Sequence, residues 1–303
     1  MLKSFQIPPT LKGILAILLW STSSTIICYF FNNLPHMEIL CLSFGISGGY
    51  TLFRLWYKRE WHTLLAPLAT WGLIFIGVLL QQLLYIPAFS YAKPAEADLI
   101  IYLWPSLAVI LSALYFKERI RISHVISILF GSLAIISLTY NNVTFVKWNI
   151  GHILAFCSAC SWAVYCVFSR SIPKIHPNMF GLAYLVGFFL VLPSQLTNDQ
   201  FVIPTLSQAL IFLYFSLLLT IGAFSLWTAG VQEGKSRYLM LTTYFKPFFS
   251  LSLLLAFGIA ELTPQLFIAA LFIIISGLST NLAILPKRIL SIPKANNDSI
   301  SAN

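Results

Sequence analysis

The chain has 303 residues, of which 58% are hydrophobic and only 9% charged, and its mean hydropathy is +0.85. Soluble domains carry about 25% charged residues, so this chain lacks the polar surface to coat a globule, and its solvent is lipid. The net charge of +9 therefore does not call for a nucleic-acid partner, because membrane topology accounts for it better.

A helix that crosses a bilayer needs roughly 20 apolar residues at about 1.5 Å rise each. Ten such segments follow one another, at residues 12–32, 36–56, 67–91, 96–116, 123–140, 150–170, 177–194, 206–231, 236–258 and 264–285. The fifth and seventh are the shortest. The expected fold is an all-α polytopic membrane protein of ten transmembrane helices. The connections are too short for a soluble domain, and the first segment exceeds a signal-peptide core and is read as retained. Residues 287–303, which end in "SIPKANNDSISAN", are polar and read as a disordered tail.

With the N-terminus in the cytoplasm, 15 of the 18 lysines and arginines fall on the inner side, and only Lys93 and Lys147 fall outside. Lys246 is left within the membrane. That asymmetry places both termini in the cytoplasm of a bacterial inner membrane.

One offset of 142 residues relates the two halves of the chain. It pairs Trp20 with Trp162, Tyr85 with Trp227, Lys93 with Lys235, Tyr102 with Tyr244 and Pro105 with Pro247. Residues 1–145 then form a first five-helix repeat and 146–286 a second. An odd number of helices per repeat turns the second over in the membrane, and Lys93 and Lys235 duly fall on opposite sides. Inverted repeats of this kind set a substrate site near the midplane between the halves and permit alternating access.

Candidate site residues cluster on the repeat-related segments. Lys246 in "TYFKPFFS" lies about ten residues into its span, roughly 15 Å deep, where a lysine is costly and reads as functional. A substrate carboxylate is its expected partner, since Glu38, Glu96, Asp98 and Glu261 sit near span ends. Pro105 and Pro247 free the carbonyls of Ile101 and Thr243, which then need a polar neighbour, a cavity or a ligand. Trp20, Tyr85, Tyr102, Trp104, Trp162, Tyr165, Trp227 and Tyr244 suit a pocket for a ligand with an apolar body and a polar head. Ser21, with Thr22, Ser24, Gln81, Gln82 and Ser250, adds hydrogen-bonding capacity. "GISGG" at Gly45–Gly49 reads as close helix packing.

Other motifs have plainer readings. "GVQEGKS" has three residues between its first glycine and G-K where a phosphate-binding loop needs four. Cys157 and Cys160 form a C-x-x-C on a helix with no second Cys/His pair nearby, and the five histidines lie scattered near span ends. No catalytic set, metal site or cofactor is expected, and the chain does not read as an enzyme. No obligate protein partner is implied.

"LLWSTS" and "CSWAVYCVFSR" at equivalent places in the halves, with "IIYLWPSLAVILSAL" and "TYFKPFFSLSLLLA", resemble the EamA branch of the drug/metabolite transporter superfamily. Within it, the likeness is greatest to aromatic amino acid exporters of the YddG type. The resemblance implies a basket-like bundle with a central cavity, walled near the pore by the third, fourth, eighth and ninth spans. It implies secondary transport of small amino-acid-like metabolites, with aromatic or other neutral amino acids favoured. The motif positions it carries over are Trp20, Tyr102, Trp104, Pro105, Trp162, Tyr244 and Pro247. Position 246 is typically uncharged in such exporters, and a cation there turns preference toward ligands held by a carboxylate. The alternative is a carrier for a larger or anionic metabolite, such as an S-adenosyl compound or a nucleotide sugar.

Overall fold

The computed structural model describes residues 7–117, 122–141, 144–145, 148–169, 171–172, 175–197, 201–234, 239, 243 and 246–282. Among them, seven helices are long and apolar enough to cross a membrane. These are α1 (Pro9–Phe30), α2 (His36–Lys58), α3 (Leu68–Tyr91), α4 (Pro94–Phe116), α6 (Ile150–Phe168), α7 (Pro177–Leu196) and α8 (Leu206–Glu233). Three further apolar helices are α5 (Ile122–Thr139), α9 (Lys246–Ala256) and α10 (Pro264–Leu282). The expected tail at 287–303 lies outside the described residues.

Local sequence explains where the helices begin. Proline at the cap or first position opens α1, α2, α3, α4 and α7, where its fixed φ suits the first turn and its missing N–H costs nothing. Capping boxes open α6, through Asn149 and His152, and α8, through Thr205 and Gln208. The seventh segment matches its apolar run to within two residues: α7 has 20 residues, with Pro193 accommodated inside its last turn. A two-residue antiparallel ribbon, Tyr140–Asn141 with Thr144–Phe145, joins the halves where only a loop is expected.

Packing inverts the logic of a soluble protein. Large apolar side chains face outward, Leu68 at 86% exposure and Ile203 at 81% among them, while Ser24, Ser43, Ser47 and Ser158 are fully buried. Such an apolar exterior suits lipid tails. The main helix pairs join α1 to α8, α2 to α7, α3 to α6 and α5 to α10, with α4 against α6.

Small residues set the closest approach. An added Cβ on Gly48 would sit 2.7 Å from Leu185 Cβ and 2.8 Å from its Cα, so α2 and α7 meet there backbone to backbone. In the G-x-x-x-G pair, Gly45 abuts Phe188, whereas Gly49 has open space around it. The tight contact belongs to Gly48.

Three helices carry wide π turns, at Ile26–Phe30 in α1, Phe75–Leu79 in α3 and Tyr214–Gly222 in α8. Such turns rotate the residues that follow them and recur near functional sites. Here the turn in α8 gives Phe215 and Leu219 to the interior space described next.

Candidate functional site

A cavity with about 70 Å³ of free space lies between α1, α3, α4, α6 and α8, with Thr243 and α9 also lining it. Its aromatic walls are Trp20, Tyr85, Tyr102, Trp104, Trp162 and Trp227. Its polar lining comes from Ser23, Gln81, Gln82, Thr243 and Lys246, and Phe215, Leu219 and Phe224 add apolar surface from α8.

The tryptophans form one cluster. Trp162 has ring centroids 5.4 Å from Trp20, 6.3 Å from Trp104 and 6.1 Å from Trp227. Trp20 is fixed by donating its Nε1–H to the carbonyl of Leu219 at 3.1 Å, inside the π turn of α8. The Trp227 indole is buried at 1% exposure, and its Nε1 finds no acceptor among the described residues. The Oε1 atoms of Gln81 and Gln82 are likewise buried and unpartnered. The wall thus presents one donor and two acceptors with unused capacity, which a ligand's polar head can satisfy.

Lys246 Nζ sits 4.9 Å from the centroid of the Tyr102 ring and 4.0 Å from Asp98 Oδ1. Both residues are buried, at 8% and 2% exposure. The ion pair is at the outer limit of contact, and Asp98 Oδ1 accepts no hydrogen bond among the described residues. Removing one member of such a pair leaves an uncompensated buried charge, at a cost of about 3–5 kcal/mol. The sequence reading sets Asp98 near a span end, away from Lys246. Depth counted along each helix separately misses the pair, because α4 and α9 pack against each other.

Not every expected site residue reaches the cavity. Ser21 turns its hydroxyl back to the Ile17 carbonyl at 2.8 Å, and Ser23 takes its place at the wall. Tyr165 lies behind Trp162, stacked at 5.2 Å, with its hydroxyl on Thr228 at 2.8 Å. Pro105 and Pro247 shape α4 and α9 and do not line the space. Tyr244 lies outside the described residues. The carbonyl that Pro247 deprives of a helical donor is met by the Tyr102 hydroxyl, at 2.8 Å.

A second, larger cavity of about 410 Å³ opens nearer the end of the bundle that carries Pro35 and Pro94. Cys28, Asn32, His36 and Ser90 give it a polar side, and Ile27 and Phe89 an apolar one. The two cavities share no lining residue.

A lipid-facing helical bundle around an aromatic and polar cavity is the build of a multi-pass membrane transporter. Comparison with known proteins agrees: the EamA-like transporter family matches twice, over residues 9–140 and 149–282. The chain belongs to that family, and is a transporter of the drug/metabolite superfamily, not an enzyme. It is 29% identical over 275 residues to the aromatic amino acid exporter YddG of Ancylobacter novellus, covering 88% of this chain and 94% of that one. The exporter of the same name from Escherichia coli K12 is 24% identical over 257 residues, covering 80% and 86%. A solved crystal structure 29% identical in sequence superposes with a TM-score of 0.67, over 93% of this chain and 99% of that one.

Proposed function

We propose that the protein is a secondary transporter that moves aromatic or other neutral α-amino acids outward across the bacterial inner membrane by alternating access. One observation supports this most: a lysine at the wall of a cavity built from four tryptophans and two tyrosines. The ring of an aromatic amino acid would lie among the tryptophans, and its carboxylate would meet Lys246. The names of the relatives supply the class of substrate and the direction.

Ten spans in two inverted halves provide the machinery in this reading. The family matches once in each half. Under the 142-residue offset, the α1–α8 contact is the counterpart of α3–α6, while α2–α7 and α5–α10 each map onto themselves, as a twofold axis requires. The π turn at Phe75–Leu79 maps onto 217–221, inside the π turn at Tyr214–Gly222. Lysine and arginine placement puts both termini in the cytoplasm and the larger cavity on the outer side.

Lys246 equally favours an anionic metabolite, and that is the second reading. Size opposes the bulkier versions of it. The aromatic cavity already needs its lining to move for an amino acid, and a nucleotide sugar would need several times more room.

The test is thermal stabilisation of the purified protein by a panel of aromatic, aliphatic, acidic and basic amino acids and nucleoside-type metabolites, repeated with Lys246→Ala. A ligand that binds the native state raises its apparent stability with occupancy. Stabilisation by aromatic amino acids, lost in the variant, is expected. Stabilisation only by larger or anionic metabolites would replace the substrate class.

A further inference from the structure

The two cavities are stacked, and the order of residues along each helix shows what divides them. On α1, Trp20 and Ser23 line the aromatic cavity, Ile27 and Cys28 the larger one, and Ser24 falls between. On α3, Gln82 and Tyr85 line the first, and Phe89 and Ser90 the second. On α4 the order is reversed, from Pro94 at the larger cavity to Ile101 and Tyr102 at the aromatic one, with Asp98 between. On α9, Lys246 belongs to the aromatic cavity, and Ser250 lies one turn beyond it.

Residues at this edge of the aromatic cavity, Ser23, Tyr85 and Lys246, and those just beyond it, Ser24, Asp98 and Ser250, bond across the gap. Ser24 meets Ser250 at 2.7 Å, Ser23 meets Tyr85 at 2.7 Å, and Lys246 faces Asp98 at 4.0 Å. Together they form a polar partition between two spaces. Its charged part is the loosest of the three contacts, and Asp98 Oδ1 has acceptor capacity to spare.

We infer that Asp98 is a specificity-determining residue that takes the α-ammonium of the substrate while Lys246 takes its carboxylate. This rests on the proposed amino-acid function and goes beyond it by naming the second half of the head-group site. A buried cation and anion side by side are the complement of a zwitterion, whose opposite charges sit on one carbon. If a carboxylate alone captured Lys246, Asp98 would be left buried without a cation, or would have to take up a proton. A zwitterion leaves neither charge uncompensated and needs no proton. Because the pair is part of the partition, the same exchange loosens the barrier between the cavities. Recognition of the head group and opening of the path are then one event.

The experiment compares L-phenylalanine with its deaminated analogue, 3-phenylpropionate, and its decarboxylated analogue, phenethylamine, by calorimetry on the purified full chain. The wild type is expected to prefer L-phenylalanine over both by about ten- to a hundredfold, the worth of one charge-assisted hydrogen bond. Asp98→Asn should erase the preference over 3-phenylpropionate. Binding of L-phenylalanine in weak buffer should take up no proton. If Asp98→Asn fails to fold, the charge-free double variant Asp98→Asn/Lys246→Met serves, and should bind all three ligands alike.

A wild-type preference that survives in either variant would overturn the inference and point to the Gln81 and Gln82 oxygens as the ammonium contacts. Uptake of about one proton per ligand would overturn it in favour of a protonating Asp98. If the wild type binds L-phenylalanine and 3-phenylpropionate equally, this inference falls and the proposed function stands. If it binds no amino acid, both fall.

Discussion

The Tyr102 hydroxyl donates to the carbonyl of Thr243 at 2.8 Å, and that carbonyl is the one from which Pro247 withholds a helical N–H. A residue of the "YLWP" segment thus completes the backbone of the "YFKP" segment, across the interface between the two halves. Tyr102→Phe should lower the melting temperature by removing this bond, at about 1–2 kcal/mol. Pro247→Ala restores a helical donor to Thr243, so the same tyrosine change made in that background should cost measurably less. A double-mutant cycle by thermal unfolding in detergent reads the coupling, and strict additivity would mean that the hydroxyl and the proline are unrelated.

The α2–α7 contact separates two adjacent glycines. Gly48→Ala drives a methyl against the Leu185 backbone and should destabilise by about 1–3 kcal/mol, whereas Gly49→Ala meets nothing within 4 Å and should be neutral or slightly stabilising. Melting curves of the two variants side by side would show it.

Glu60, in the connection after α2, accepts a hydrogen bond from the Asn178 amide at 3.2 Å and lies 3.5 Å from the Arg54 guanidinium. The Asn178 bond first, and the nearby positive charges of Arg54, Lys58 and His176 after it, hold its carboxyl below the usual range. A depressed carboxylate contributes stability above its unfolded pKa of about 4.3, and that contribution is lost as pH falls through the lower folded value. Glu60→Gln should therefore leave the protein less stable at neutral pH and flatten the acid limb of its stability curve. The measurement is melting temperature from pH 7 down to 3.

The seven long helices were legible from apolar run length because lipid demands it, and proline marks most of their starts. The residues of the aromatic wall could be picked out on the segments that the 142-residue offset pairs, and the Trp20 and Trp162 rings lie 5.4 Å apart. Phase was harder. Residue type alone does not tell Ser21, whose hydroxyl bonds the Ile17 carbonyl, from Ser23, which reaches the cavity two residues on. The Asp98–Lys246 contact depends on how two helices from different halves cross, which no pattern within either helix encodes.

The chain holds eight tryptophans, and Trp20, Trp104, Trp162 and Trp227 surround one small space. Half of the indole chromophores therefore report on a single compartment, close enough to exchange excitation among themselves. The transporter carries its own optical probe. Entry of a ligand between those rings changes the polarity and spacing that set their emission, so occupancy is readable in native protein, in lipid, without a label.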